Sequence, residues 1–158
     1  MSLESVRRWL AEHAPELELI EVAQSTATVE TAALALGVEP ARIAKTLAVR
    51  AGSEVFLLVA RGDARLDNSK CKAEFGARPR MLAAEETLAL TGHPVGGVCP
   101  FGLASPLPVY LDISLRPFDQ VYPAAGSLNT SVRVTPDRLF ELVGSRWVDL
   151  CRLREYEA

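Results

Sequence analysis

The sequence predicts an α+β domain built on a mixed, barrel-like β-sheet surrounded by helices. Three observations carry that expectation. Apolar residues recur at both helical and strand spacing, in an order that mixes helices with hairpins and shows no regular βαβ alternation. The chain has 158 residues and is 49% hydrophobic, enough for one core without disulfide staples. No internal repeat, linker or low-complexity stretch divides it, so residues 1–158 read as a single domain.

The elements follow in order. Leu3, Val6, Leu10 and Ala14 recur at three and four residues, with charges between them, and Pro15 ends that amphipathic helix. Leu17, Leu19 and Ile20-Glu21-Val22 read as a strand. Ser25-Thr26-Ala27-Thr28 offers a polar N-cap to a helix with Val29, Ala32, Ala33 and Leu36 on one face and Gly37 at its end. Pro40 to Ala44 reads as a short helical turn. Residues 45–50 and the apolar run 55–60 form a hairpin around Ala51-Gly52-Ser53, its second strand buried on both faces. A helix over 67–75 with Asp67 as cap, a strand-like 80–82 and a helix over 84–90 come next. Strands are expected at 108–113, 120–122, within 127–134 and at 148–150. Thr135-Pro136-Asp137 starts a helix carrying Leu139, Leu142 and Val143, which Gly144 ends.

Composition excludes several function classes. A net charge of −3 argues against non-specific coating of nucleic acid, while leaving room for a small basic patch. Arg61, Arg65, Lys70 and Lys72 are a candidate basic patch, though a solvated face has the same composition. Three widely spaced cysteines and two histidines give neither a disulfide framework nor a metal-ligand pattern. No signal peptide or membrane-length apolar run is evident, so a reduced, cytoplasmic setting is expected.

The segment from Gly92 to Gly102 packs four glycines and two prolines into eleven residues. Such a loop has a defined shape and few side chains, and it can present backbone N–H groups to a ligand oxygen. Glycine and proline also gather at plain structural turns. Two further pieces stand in register with it: Ile43-Ala44-Lys45-Thr46-Leu47 after the alanine-rich helix from Thr28 to Gly37, and Ala124-Ala125-Gly126-Ser127 before the last long helix. Together with Gly96-Gly97-Val98-Cys99-Pro100-Phe101-Gly102, they make the chain closely resemble the YbaK/ProX family of aminoacyl-tRNA deacylases. The prolyl-tRNA synthetase editing domain is similar in the same way. The resemblance covers nearly the whole chain.

That resemblance implies hydrolysis, in trans, of the ester between a wrong amino acid and a tRNA 3′ end. Mischarged tRNA-Pro carrying a small amino acid is the expected substrate, and an aminoacyl-tRNA synthetase the expected protein partner. Neither DNA nor a membrane enters, and no metal or organic cofactor is implied. The resemblance makes Lys45 the main functional side chain. Gly96, Gly97, Val98, Cys99, Pro100, Phe101 and Gly102 line the aminoacyl pocket, with Gly126, Ser127 and Thr28 facing it.

The residue types suit that chemistry. Ester hydrolysis needs an oriented water and stabilisation of an oxyanion. No Gly-x-Ser-x-Gly elbow is present, and two histidines make a Ser-His-Asp triad a poor fit. A lysine plus backbone donors, here the N–H groups of Gly97 to Gly102, is a coherent minimal site. Cys99 with His93 nearby offers a rival, cysteine-dependent hydrolase, although cysteine is also a common small core residue. A binding module that keeps the pocket without turnover is the other rival. Asp112 reads either as a substrate-amine ligand or as a turn cap, and Trp9 and Trp147 as core.

Overall fold

The computed structural model describes residues 2–153. Helix α1 (Ser2–His13) buries Val6 and Leu10, two of the residues on its apolar stripe. Strand β1 (Leu19–Glu21) follows, then α2 (Val29–Leu36). Thr28 caps α2: its hydroxyl accepts the Thr31 N–H, and the Thr31 hydroxyl in turn accepts the Thr28 N–H. A single 3-10 turn at Pro40–Arg42 leads into β2 (Ile43–Ala51). The strand therefore takes the last two residues expected to be helical.

Strands β2 and β3 (Glu54–Arg61) form the expected hairpin, paired from Ala44↔Arg61 to Ala51↔Glu54 around a two-residue turn. Then come β4 (Ala64–Leu66), α3 (Asn68–Phe75), β5 (Pro79–Met81) and α4 (Ala84–Thr91). After the glycine loop come β6 (Val109–Asp112), β7 (Tyr122–Pro123), β8 (Thr130–Val132), α5 (Pro136–Val143), β9 (Arg146–Val148) and β10 (Cys151–Leu153). In place of the single closing strand expected at 148–150 there are two short strands, one ending at Val148 and the next beginning at Cys151.

The main sheet runs β5-β2-β3-β6-β9, with β7 also beside β2. It is mixed as expected: β2 pairs antiparallel with β3 and β5, while β2–β7, β3–β6 and β6–β9 are parallel. It is open rather than closed. Strands β1–β8 and β4–β10 pair off as separate two-stranded ladders instead of completing a barrel.

Alternation along the central strands gives the sheet two buried faces. Ala44, Ala48, Leu57, Val59 and Leu111 face one core with Val6 and Leu10 of α1, Leu139 of α5, and Cys99 and Phe101. Val49, Phe56, Leu58, Ala60 and Tyr110 face the other, with Cys71 of α3, Ala64 of β4 and Cys151 of β10. Each fully buried large side chain here contributes about 1.5–3 kcal/mol. The expectation that β3 is buried on both faces is met. Trp9 packs on the first core with its ring 5.6 Å from Phe101, and Trp147 stacks 5.3 Å from Phe140.

The outer edge of β2 is only partly covered. Two short neighbours share it: β7 pairs at Ile43 and Ala44, and β5 pairs from Val49 to Ala51. Both carry a proline, Pro123 and Pro79, which cannot donate to a ladder and so belongs on edge strands. A gap is left between them, and the principal cavity opens there.

Candidate functional site

The cavity has a volume of about 390 Å³, toward the lower end of small-molecule sites. Its floor is β2 from Ile43 to Ala48. Thr26, Ala27, Thr28 and the first turns of α2 form one wall, with Tyr122, Ala124 and Ser131 beside them. Met81, Leu82 and Thr87 close the β5–α4 side, and Val95, Gly96 and Val98 of the glycine loop close the remainder. Met81 and Val95 form an exposed apolar rim, 57% and 62% accessible.

Lys45 is part of the floor. Its register partner is Ala60, so its side chain leaves β2 on the face carrying Leu47 and Val49, and its Nζ donates to the Ala64 carbonyl of β4. Its positive charge reaches the Cys151 thiol, where it opposes the raising effect of burial and of the Asp112 carboxylate; that thiol is pushed up to about 12. Thr46, one residue on, takes the opposite face. The hydroxyls of Thr26 and Thr46 are both buried, and neither has a hydrogen-bond partner among the described residues. In a largely apolar wall this is uncommon.

The glycine loop divides between the cavity and the core. Gly96 and Val98 line the cavity, as does Thr28. Gly97 is buried against the 126–127 turn: a Cβ there would lie 3.1 Å from the backbone of Ser127, so any larger residue would push the two segments apart. Its N–H donates to the Pro94 carbonyl at 2.9 Å. Pro100 is buried, and Cys99 and Phe101 are wholly inside the first core. Gly102 rests on the backbone of Ser5. Gly126 has φ +92°, and a Cβ on it would strike Val6 and Ser2 of α1. The Ser127 hydroxyl donates to Asn129 at 3.0 Å and lies 2.7 Å from the Thr130 hydroxyl. Thus Lys45, Thr28, Gly96 and Val98 meet at the cavity, and the remaining motif residues brace the loop from behind.

Behind the loop, His93 is fully buried and bonded on both sides. Its Nε2 is 2.7 Å from the Phe101 carbonyl, which can only accept, so Nε2 carries the proton; Nδ1 lies 2.6 Å from the Ser2 hydroxyl. Burial lowers the basicity of His93, with the Phe101 carbonyl opposing. The Cys99 Sγ is 3.5 Å from Nε2, but burial pushes its thiol up to about 12. That corrects the cysteine-hydrolase expectation. A nucleophilic thiol needs thiolate character and access, and Cys99 has neither.

Two other expectations also change. Within the candidate basic patch, Arg61 is paired with Asp63 at 2.6 Å and Lys70 with Asp149 at 2.9 Å, and Arg65 and Lys72 are exposed. Asp112 is a turn cap, accepting the N–H groups of Ser114 and Leu150, and does not line the cavity. Sequence reasoning missed Thr46 as a site residue, along with Tyr122, Ala124, Ser131 and the β5–α4 wall. Alternation on β2 places Thr46 on the face opposite Lys45, but nothing local in the sequence marks that position as facing a cavity.

Residues 23–142 match the family model described as the aminoacyl-tRNA editing domain. The chain belongs to that family. The span takes in the cavity walls from Thr26 to Ser131. Among relatives of this editing-domain chain, YwhH of Bacillus subtilis, an uncharacterized protein, is 48% identical over 96% of this chain and 98% of its own. EbsC of Enterococcus faecalis, named as a candidate Cys-tRNA(Pro)/Cys-tRNA(Cys) deacylase, is 29% identical over 77% of this chain and 75% of its own. A crystal structure described as a candidate trans-editing enzyme for prolyl-tRNA synthetase superposes with a TM-score of 0.87 and 34% identity, covering 96% of this chain and 97% of that one. No helix among the described residues is long and apolar enough to cross a membrane.

Proposed function

We propose that this editing domain works in trans as an aminoacyl-tRNA deacylase, removing a small wrong amino acid from a mischarged tRNA, tRNA-Pro first among them. The observation that carries this reading is the small, largely apolar cavity with Lys45 in its floor, in a chain of the editing-domain family. Its volume suits an aminoacyl group and part of a ribose, leaving the rest of the tRNA outside.

In the step proposed, a water oxygen adds to the ester carbonyl carbon. The tetrahedral intermediate then collapses, the ribose oxygen leaves with a proton, and the free amino acid and tRNA separate. The neighbouring ribose hydroxyl of the substrate is placed to orient that water. Lys45 supplies the positive charge beside the ribose and terminal phosphate, exchanging the Ala64 carbonyl for a substrate oxygen. Gly96, Val98 and Thr28 contact the aminoacyl group. Gly97, Cys99, Pro100, Phe101, Gly102, Gly126 and Ser127 hold the loop in shape behind them. A prolyl-tRNA synthetase is the protein partner expected to hand over such a substrate.

The test is amino acid release from tRNAs charged with alanine, cysteine, serine and threonine, tRNA-Pro included, by the wild type and by Lys45→Ala. Turnover of at least one substrate, falling by about 100-fold in Lys45→Ala, is expected for loss of an electrostatic stabiliser. No turnover on any of them, with tRNA still bound, would replace the deacylase with the binding module.

A further inference from the structure

The partial coverage of β2 has a consequence for how a substrate binds. Along a strand, the N–H and C=O of one residue point to the same side and those of the next residue to the other. The two-residue hairpin turn makes Ala51↔Glu54 a hydrogen-bonded pair, so Ala51, Val49, Leu47 and Lys45 direct their backbone groups at β3. Ala48, Thr46 and Ala44 therefore direct theirs at the outer edge. The Leu82 N–H donating to the Ala48 carbonyl at 3.0 Å confirms that direction independently.

On that edge, Ala44 lies in the β7 pairing and Ala48 is engaged by Leu82. Thr46 stands between them, facing the cavity, and among the described residues no backbone or side-chain group from another segment bonds its N–H or its C=O on that side. The gap is one residue long. On the same face Thr46 is flanked by Ala44 and Ala48, whose small side chains leave room beside it.

We infer that the aminoacyl group docks on Thr46 as a one-residue β-strand. An aminoacyl ester carries one acceptor, its carbonyl, and one donor group, its α-ammonium, on the same residue. In extended conformation both turn to one edge, the complement of one N–H and one C=O. The Thr46 N–H donates to the ester carbonyl, and to the oxyanion that forms from it; the Thr46 C=O accepts from the α-ammonium. In the antiparallel sense, the ester end then runs toward Lys45 and β7, and the α-amine toward β5. This is edge-strand addition at its smallest scale. It rests on the deacylase reading and moves the oxyanion donor from the loop, where the Gly97 N–H is already engaged, to β2.

The slot also sets a length limit. A group added to the α-amine would run into the segment where Leu82 holds the Ala48 carbonyl. The site therefore takes a single amino acid and refuses N-blocked or peptidyl esters.

The experiment replaces Thr46 by its α-hydroxy acid analogue, which exchanges the N–H for an ester oxygen and keeps the side chain. Turnover is measured on the substrate that the wild type cleaves best, with circular dichroism reporting the fold. A loss in kcat of about 100-fold or more is expected, the size found when one oxyanion donor is removed. A folded variant within about threefold of wild type would overturn the inference while leaving the deacylase reading intact. Absence of wild-type turnover would remove both. Should the variant not fold, N-acetylated and free aminoacyl-tRNA are compared on the wild type, each normalised to its own hydroxide hydrolysis rate. At least about a 10-fold preference for the free amine supports the slot, and equal rates overturn it.

Discussion

Both the glycine loop and the outer edge of β2 line the cavity, yet they treat their polar groups in opposite ways. Behind the loop, the Gly97 N–H, both His93 ring nitrogens and the Thr91 hydroxyl all have protein partners, and Cys99 and Phe101 are sealed in the core. At the β2 edge, the Thr46 backbone faces a gap, and among the described residues the buried hydroxyls of Thr46 and of Thr26, on the adjoining cavity wall, have no partner. Polar groups left unsatisfied are costly inside a protein, so a region holding several of them beside a cavity is where a ligand gains most. The loop is the frame, and the strand edge is the reader.

The largest effect that would break this comparison is on stability. Gly97→Val puts a branched side chain where even a Cβ sits 3.1 Å from the Ser127 backbone. Overpacking of this kind costs about 3 kcal/mol, read as a lower midpoint in urea unfolding. A variant as stable as wild type would mean the loop is not a packed frame.

Next comes the chemistry of Cys99. With its thiol at about 12 and its side chain fully buried, native protein treated with iodoacetamide at neutral pH should leave Cys99 unmodified, and unfolded protein should not. Peptide mass spectrometry separates the two. Ready modification in the folded state would return the thiol to consideration as a nucleophile.

A smaller effect concerns acid. Burial lowers His93 below its ordinary 6.5, so below that pH the unfolded chain binds a proton that the folded chain does not. Stability due to this group is therefore complete above pH 6.5 and declines as pH falls beneath it. Melting temperatures measured across that range should show the decline, and His93→Gln should flatten it. An unchanged slope in the variant would assign the acid loss to the carboxylates.

How much of this was legible in the sequence depended on where each property resides. The β2–β3 hairpin and the five helices were readable because their periodicity, caps and stops are local; Thr28, Asp67 and Thr135 cap as their residue types suggest. Strand β4 was missed, because its three residues are made a strand by a partner almost ninety positions away, Ala64↔Leu153. Cys99 and Phe101 were expected to line the pocket because the family resemblance places the whole Gly96–Gly102 segment there. The sequence could not show that α1 folds over its back, with Trp9 on Phe101. Lys45 stood out through a family motif alone. Thr46 did not, since what distinguishes it is a missing neighbour, set by Pro79 and Pro123 in strands not adjacent to it in the chain.

The smallest expected effect is the sharpest comparison between the two regions. Thr91 and Thr26 are both buried, but the Thr91 hydroxyl donates to the Thr87 carbonyl at 2.7 Å and accepts the His93 N–H at 3.0 Å, while the Thr26 hydroxyl has no partner among the described residues. Valine keeps the shape of threonine and removes the hydroxyl. Thr91→Val breaks two bonds and leaves a buried N–H unpaired, costing about 1–3 kcal/mol. Thr26→Val removes only an unsatisfied oxygen and should be neutral or stabilising by up to about 1 kcal/mol. Urea unfolding of the pair decides it: equal losses would mean that Thr26 is as well bonded as Thr91, and that the cavity wall and the back of the loop do not differ in the way the cavity requires.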